Sequence, residues 1–443
     1  MKIAQSRFAR NIRWQLVANG MQALLGGIYL IVLGRLLGVE QFGIFSTIAA
    51  AVAVVGLCLE LRLQEVIARD FCLIDGAKSE TPLEAGHVVD LFVLECMTRL
   101  IPMAFLLILS SFVLSQLNLS SATWDALLVC ALAFILGKSG NSVSTGLLRV
   151  LGRTDLIAAC SIADWSLRLL LTVMLGVLSY LNVTTAVWVT LLAGGLCNGI
   201  LVVLACSVFT RCVQPIPWSL WSLKQAMQRL RGSLRLITSN LGISLSDLMA
   251  KDLDIVLLAS MLNPVMVGLY KMAKSFVQVI WRAIDPFYLT IMPEIQRLWQ
   301  LKQFSALWLL LRKTSSRLLA LSVTLVAMAY GLLIWLSPLL LSVEYAGVPR
   351  LMLTMSFWVV VCSPLIWGIP LAIAINRPEL SAIGSFLGLV VGLVAFSVLT
   401  PTLGLTGAAL AWNITLISGV AFIAIFALVI ATRMVNGKQS ISA

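Results

Sequence analysis

Leu33-Gly-Arg-Leu-Leu-Gly-Val-Glu-Gln-Phe-Gly-Ile-Phe45 is echoed 225 residues later by Leu258-Ala-Ser-Met-Leu-Asn-Pro-Val-Met-Val-Gly-Leu-Tyr270. In each copy an apolar run ends, a short turn follows, and Gly43 or Gly268 opens the next run before an aromatic residue. A second pair, Gly152-Arg-Thr-Asp-Leu156 and Asn376-Arg-Pro-Glu-Leu380, matches at an offset of 224. Two matches in nearly one register argue for a duplicated unit rather than chance likeness of apolar sequence.

The sequence around these repeats is that of a membrane protein. Its 443 residues are 60% hydrophobic and 11% charged, with a mean hydropathy of +1.01. Soluble domains carry roughly 25% charged residues, so a water-soluble fold is excluded. Twelve apolar spans lie near 14–36, 43–61, 88–114, 124–147, 156–181, 185–210, 236–259, 265–292, 318–341, 351–375, 380–400 and 405–431. Lys2, Arg7, Arg10 and Arg13 precede the first run as they would in a signal peptide. That run is long and lacks a small-residue cleavage site, so it reads as a retained helix.

Six spans per copy is an even number, so the copies share one orientation. The fold expected is all-α and membrane-integral: 12 transmembrane helices in two six-helix lobes, related by a pseudo-two-fold axis along the membrane normal. The lobes would be residues 1–210 and 236–443, joined by a cytoplasmic amphipathic linker at 211–235. A second interfacial helix is expected at 294–317. With both termini cytoplasmic, inside segments hold 22 of the 31 basic residues and outside segments only Arg35 and Arg350. That asymmetry sets the orientation. Basic residues spread in this way give no nucleic-acid patch. The nine Cys form no Cys-x-x-Cys pair, and His87 reads as lying in a loop with no ligand cluster around it, so neither disulfides nor a metal are expected.

Seven cations fall inside apolar spans: Arg99, Lys138, Arg168, Lys251, Lys271, Lys274 and Arg282. Facing lipid, they would together cost about 20 kcal/mol on the insertion scale. They are therefore expected to line a wet, protein-enclosed cavity, which suits an anionic cargo. At 100° per residue, Lys271, Lys274, Gln278, Arg282 and Asp285 fall within about 80° of one another. Asn240, Ser244, Asp247, Lys251 and Asp254 share another face, with Asp252 off it. Asn19 and Gln22 line up in the first span, as do Lys138 and Asn141 in the fourth. Asp164 and Arg168, four residues apart, fit a structural ion pair equally well. The candidate substrate contacts are thus the seven cations with Asn19, Gln22, Asn141 and Gln278. Lys and Arg recognise phosphate by charge, and Arg also by forked hydrogen bonds. The candidate coupling groups for a proton or sodium are Asp164, Asp247, Asp252, Asp254 and Asp285. No cofactor is expected.

The run from Arg10-Asn11 through Leu33–Phe45 resembles the opening of Wzx-type polysaccharide flippases, members of the multidrug/oligosaccharidyl-lipid/polysaccharide exporter superfamily. Leu262–Tyr270, Pro293 and Gly404-Leu-Thr-Gly-Ala-Ala-Leu410 are similar to the same family. The resemblance implies a MATE-like fold. It also implies ion-coupled transfer of a polyprenyl-diphosphate-linked glycan across a bacterial inner membrane for O-antigen or related lipopolysaccharide assembly. Membrane lipids, a polysaccharide polymerase and chain-length proteins are the implied partners. A multidrug or organic-ion antiporter of the same fold is the alternative. A membrane glycosyltransferase or polymerase fits less well, because the longest connection, near 62–87, leaves little room for a catalytic loop; the chain reads as a non-enzyme.

Overall fold

The computed structural model describes residues 2–58, 60–70, 86–99, 138–212, 249–377 and 379–439. Among these no strand occurs, and each of the twelve expected spans is mostly helical where it is described. The elements are α1 (Lys2–Cys58), α2 (Leu63–Asp70), α3 (86–99), α4 (Asn141–Val150), α5 (Thr154–Val177), α6 (Val183–Cys212), a π-turn at Met249–Leu253 leading into α7 (Asp254–Met261), α8 (Pro264–Gln300), α9 (Phe304–Leu340), α10 (Val348–Met355), α11 (Phe357–Cys362), α12 (Gly368–Ala374) and α13 (Glu379–Gln439). α1 and α13 each hold two spans, bent at Gly38 and Gly404, where φ is positive. Six described stretches are long and apolar enough to cross a membrane. They leave large apolar side chains such as Leu170, Val203 and Trp335 exposed, as lipid-facing helices do.

The chain divides into two compact units. One is Met1–Val32 with Val52–Leu245, and the other is Leu33–Ala51 with Ser246–Ala443. The tip of the first hairpin, read from sequence as part of the first lobe, thus packs with the second unit. There the two copies of the opening repeat meet reciprocally. A Cβ added at Gly43 would strike the Pro264 carbonyl, and one added at Gly268 would strike the Val39 carbonyl. Val39 and Pro264 are themselves matched positions, so the contact has the self-complementary form of a local two-fold. Only glycine allows this approach. Distant groups pin the hairpin tip. Glu344 accepts from the Val39 amide at 3.1 Å, Tyr345 donates to the Gly34 carbonyl at 3.1 Å, and Arg35 donates to the Leu339 carbonyl at 2.9 Å. Gly43→Val is expected to destabilise by about 3 kcal/mol or more through overpacking. Gly20→Ala, with nothing within 4 Å, should be harmless. Thermal melts in detergent check both.

The second repeat holds at the backbone. Gly152 and Asn376 both adopt left-handed φ, 67° and 60°. Arg153 N donates to Leu148 O and Arg377 N to Ala372 O, each at 2.8 Å, which is the Schellman closure of a helix end. Arg153 then bridges Asp155 at 3.1 Å, and Arg377 bridges Glu379 at 3.2 Å. Burial pushes the Asp155 carboxyl up, but hydrogen bonds from Arg153 bring it below its usual value. Glu379 is lowered by its own backbone amide and by Arg377.

Three expectations change. No separate interfacial helix occupies 294–317: α8 runs on to Gln300, a turn with Lys302 at φ 56° follows, and α9 begins at Phe304. At 37 residues each, α8 and α9 are about 55 Å long and overrun the ~30 Å hydrocarbon core. The tenth span is broken, because Pro364 and Pro370 remove amide donors and leave α11, a 3₁₀ turn and α12 in place of one helix. His87, read as lying in a loop, sits in α3. The expected amphipathic linker at 211–235 lies, from residue 213 on, outside the described residues.

Candidate functional site

In the second unit the polar face of α8 is the organising element. Asn263 starts this helix by accepting from the Met266 amide at 3.0 Å, with Pro264 at its first position. Lys271, Gln278 and Arg282 keep exposed surface, whereas Lys274 is fully buried. Lys274 stands at one edge of the stripe, about 60° round the helix from Lys271 and about 80° from Arg282 at the other edge, and turns into the protein. Its ammonium donates to both Asp254 oxygens at 2.7 Å and to the Lys251 carbonyl at 2.5 Å. Tyr270 donates to Asp254 at 2.8 Å, and the Trp412 ring lies 5.3 Å from the Lys274 ammonium. Both charges are at 0% exposure. This corrects the expectation for Lys274 and Asp254: in this conformation they form a sealed ion pair and line no open space.

The cause is the π-turn at Met249–Leu253. One extra residue in a turn rotates everything after it by about 100° relative to a straight α-helix. Asp254 therefore leaves the face shared with Lys251. Asp252, placed off that face by α-helical counting, comes round to pair with Lys271 at 3.3 Å. This second pair is open to its surroundings, at 20% and 23% exposure. Lys251 is half-buried. The Asp285 side chain and the whole of Asp247 lie outside the described residues.

Beside the stripe, Trp281 packs on Trp358 with ring centroids 4.5 Å apart, and Trp358 on Trp412 at 5.5 Å. Asn413 holds the broken tenth span here, accepting from the Trp358 amide at 3.1 Å and donating to the Thr354 carbonyl at 2.7 Å. An apolar cavity of about 200 Å³ opens between Trp281, Tyr288, Cys362, Ile366 and Ile423.

In the first unit Arg168 forks onto Asp164, Nε to Oδ1 at 2.7 Å and Nη2 to Oδ2 at 2.8 Å. Its guanidinium also stacks over Trp165 at 5.1 Å. Tyr29 meets Trp165 edge-on at 5.8 Å and shares a hydrogen bond with Thr190 at 3.1 Å. A Cβ at Gly194 would lie 3.0 Å from Arg168 Nη2, so this glycine leaves the guanidinium its room. The pair keeps 13% and 21% exposure. Lys138 is exposed in the turn before α4 and feels the charges of Arg168, Arg99, Glu60 and Asp164. Asn141 opens α4 and accepts from Thr145 at 3.3 Å. Gln22 is half-buried and Asn19 exposed, and neither is brought into these clusters by a hydrogen bond shown here. Arg99 is buried at 8% exposure and donates to the Gly56 carbonyl at 3.1 Å.

At least three of the seven cations, Arg168, Lys271 and Lys274, are thus paired to an acid, the first through the i, i+4 ion pair that its spacing allowed. Arg282 makes no described ion pair. Sequence reasoning also passed over the aromatic partners Tyr29, Trp165, Tyr270 and Trp412. The i, i+3 spacing of Trp165 and Arg168 was the one signal for them.

These features define a multi-pass membrane protein with polar groups buried between apolar helices. The chain matches the "Polysaccharide biosynthesis protein" family over residues 8–299, and it belongs to that family. Its fold is that of the MOP-superfamily transporters. It is similar to a multidrug resistance MATE family transporter in the inward-facing conformation, with a TM-score of 0.70 at 14% identity, covering 95% of this chain and 96% of that one. It is also similar to the lipid II flippase MurJ, inward closed, with a TM-score of 0.69 at 11% identity over 93% and 86%. A MOP-superfamily transporter from Pyrococcus furiosus, titled for the reverse polarity of its binding pocket, gives 0.56 at 15% over 96% of each chain. No curated protein matches.

Proposed function

We propose that the chain is a flippase. It would move a polyprenyl-diphosphate-linked oligosaccharide from the cytoplasmic to the outer leaflet of a bacterial inner membrane, feeding O-antigen or related surface polysaccharide assembly. The observation that carries this reading is a polysaccharide-biosynthesis family membrane protein with cations inside its apolar spans that keep exposed surface: Lys138, Arg168, Lys251, Lys271 and Arg282. A diphosphate is a strong acceptor for such groups, and their contacts strengthen where water is scarce. The sugars would sit among Asn19, Gln22, Asn141 and Gln278, and the lipid tail would stay in the bilayer. Alternating access would come from rocking one six-helix lobe, residues 1–210, against the other, residues 236–443, across the 211–235 linker.

Binding alone gives no direction, so a coupled ion or synthesis-driven concentration would supply it. Asp164 and Asp252 suit coupling to a proton or sodium, since each is paired to a cation yet more than a fifth exposed. Asp254 is sealed and suits it less. Asp247 and Asp285 stay candidates on sequence grounds. Both termini would face the cytoplasm under the positive-inside rule. A polymerase and chain-length proteins would take the product. No enzyme chemistry is needed. A drug-cation antiporter would call for a more acidic site. Deleting the gene in the source bacterium is expected to abolish surface polysaccharide and leave drug susceptibility unchanged; the opposite pattern favours the antiporter.

A further inference from the structure

α4 begins abruptly inside the protein. Gly140 precedes it with φ 76°, wedged against Phe92 and Val202, and supplies no side-chain cap. The free amides at the helix start are taken instead by a carboxylate from α3. Ser142 N donates to Glu95 Oε1 at 3.0 Å, and Val143 N to Oε2 at 3.1 Å. A second helix start converges on the spot, since Gln64 N of α2 donates to Ser142 Oγ at 3.0 Å. Asn198 holds the preceding turn through the Ser139 carbonyl at 3.0 Å. Two helix N-termini with aligned amides make a positive, anion-accepting place.

A further observation points to a ligand. Arg99, one turn beyond Glu95 on the same face, is more than nine-tenths buried, and its Nε has no hydrogen-bond partner among the described residues. Its charge acts on Glu95 and on Lys138, which stands at the lip of the turn. Glu60 is the other charge facing Glu95. The surroundings thus offer more donors than one carboxylate uses. α4 is about 15 Å long, so its start stands about that far along the helix from the Arg149 end.

We propose that the start of α4 is a diphosphate-binding site in which Glu95 is a resident stand-in, displaced when the cargo's phosphate takes the Ser142 and Val143 amides beside Arg99 and Lys138. The identity of the anion rests on the flippase reading; the site itself rests on this geometry. The test is binding of inorganic pyrophosphate to the purified full-length protein in nanodiscs by calorimetry. Glu95→Gln and Glu95→Ser, both neutral, are expected to bind at least tenfold tighter than wild type. Adding Arg99→Gln should reverse that gain. Pyrophosphate should also alter hydrogen exchange of the 141–150 segment in the unmutated protein, a readout that needs no variant. No tightening in a folded neutral variant, or no change at 141–150 in wild type, overturns the proposal and leaves Glu95 a fixed cap. If pyrophosphate binds as described while deleting the gene leaves surface polysaccharide normal, the anion site stands and the flippase reading fails. Lost polysaccharide without pyrophosphate binding overturns the site alone.

Discussion

Lys274→Met is expected to destabilise the protein by about 3–5 kcal/mol, because it strands the Asp254 carboxylate at 0% exposure with only Tyr270 to donate to it. Lys274→Gln should fare little better, since an amide cannot neutralise the charge. The matched double variant Lys274→Met with Asp254→Leu should recover most of the loss, since well-packed apolar pairs replace buried ion pairs at little cost. Tyr270→Phe alone should cost about 1 kcal/mol, the value of one hydrogen bond. Thermal melts in detergent, followed by tryptophan fluorescence, read all four. The Trp412 ring beside the ammonium makes the local signal sensitive to the pair. A Lys274→Met protein as stable as wild type would mean that the pair is not sealed as described.

The opposite outcome is expected one turn away. Lys271→Gln with Arg282→Gln removes two exposed cations from the same helix. The Lys271–Asp252 pair keeps about a fifth of its surface, and such pairs are worth roughly 0–1 kcal/mol. The double variant should therefore fold and insert normally. Each lost charge-assisted contact to a diphosphate is worth about 1.5–3 kcal/mol, so transport should fall by about tenfold or more. Surface polysaccharide, measured against equal membrane levels of protein, reads the loss. Normal polysaccharide in this variant would remove the α8 stripe from cargo binding. The contrast with Lys274 separates a charge that holds the fold from charges available to a ligand.

Much of the fold was legible because its signals are local. Gly43 and Gly268, and Gly152 and Asn376, stood out as matched repeat positions, and the structure turns the first pair into a close backbone crossing and the second into left-handed helix ends. Both show in the sequence as the one residue type, or nearly so, that the backbone tolerates. The helix periodicity of α8 likewise placed Lys271, Gln278 and Arg282 together. The site was less legible, for reasons that are also physical. A π-turn leaves no composition signature, yet it exchanged the roles of Asp252 and Asp254 by turning the helix about 100°. Which acid neutralises which cation is a tertiary fact, and Lys274 reaches Asp254 across 20 positions. Glu95 caps amides 47 and 48 residues away, which no spacing rule anticipates. The length of α8 and α9 was missed because apolar runs report only the part in hydrocarbon, not the turns that continue beyond it.

On the flippase reading, this chain carries a lipid-linked sugar across a bilayer through its intramembrane cations. The most direct measurement reconstitutes the purified protein in proteoliposomes that carry a polyprenyl-diphosphate oligosaccharide. It then follows, with time, how much of the glycan can be cleaved by an enzyme added outside. The account predicts that wild-type protein exposes the trapped glycan, and that Lys271→Gln with Arg282→Gln slows this about tenfold or more at equal protein content. Glycan that crosses no faster than in empty liposomes, or that crosses equally fast with the double variant, would contradict it.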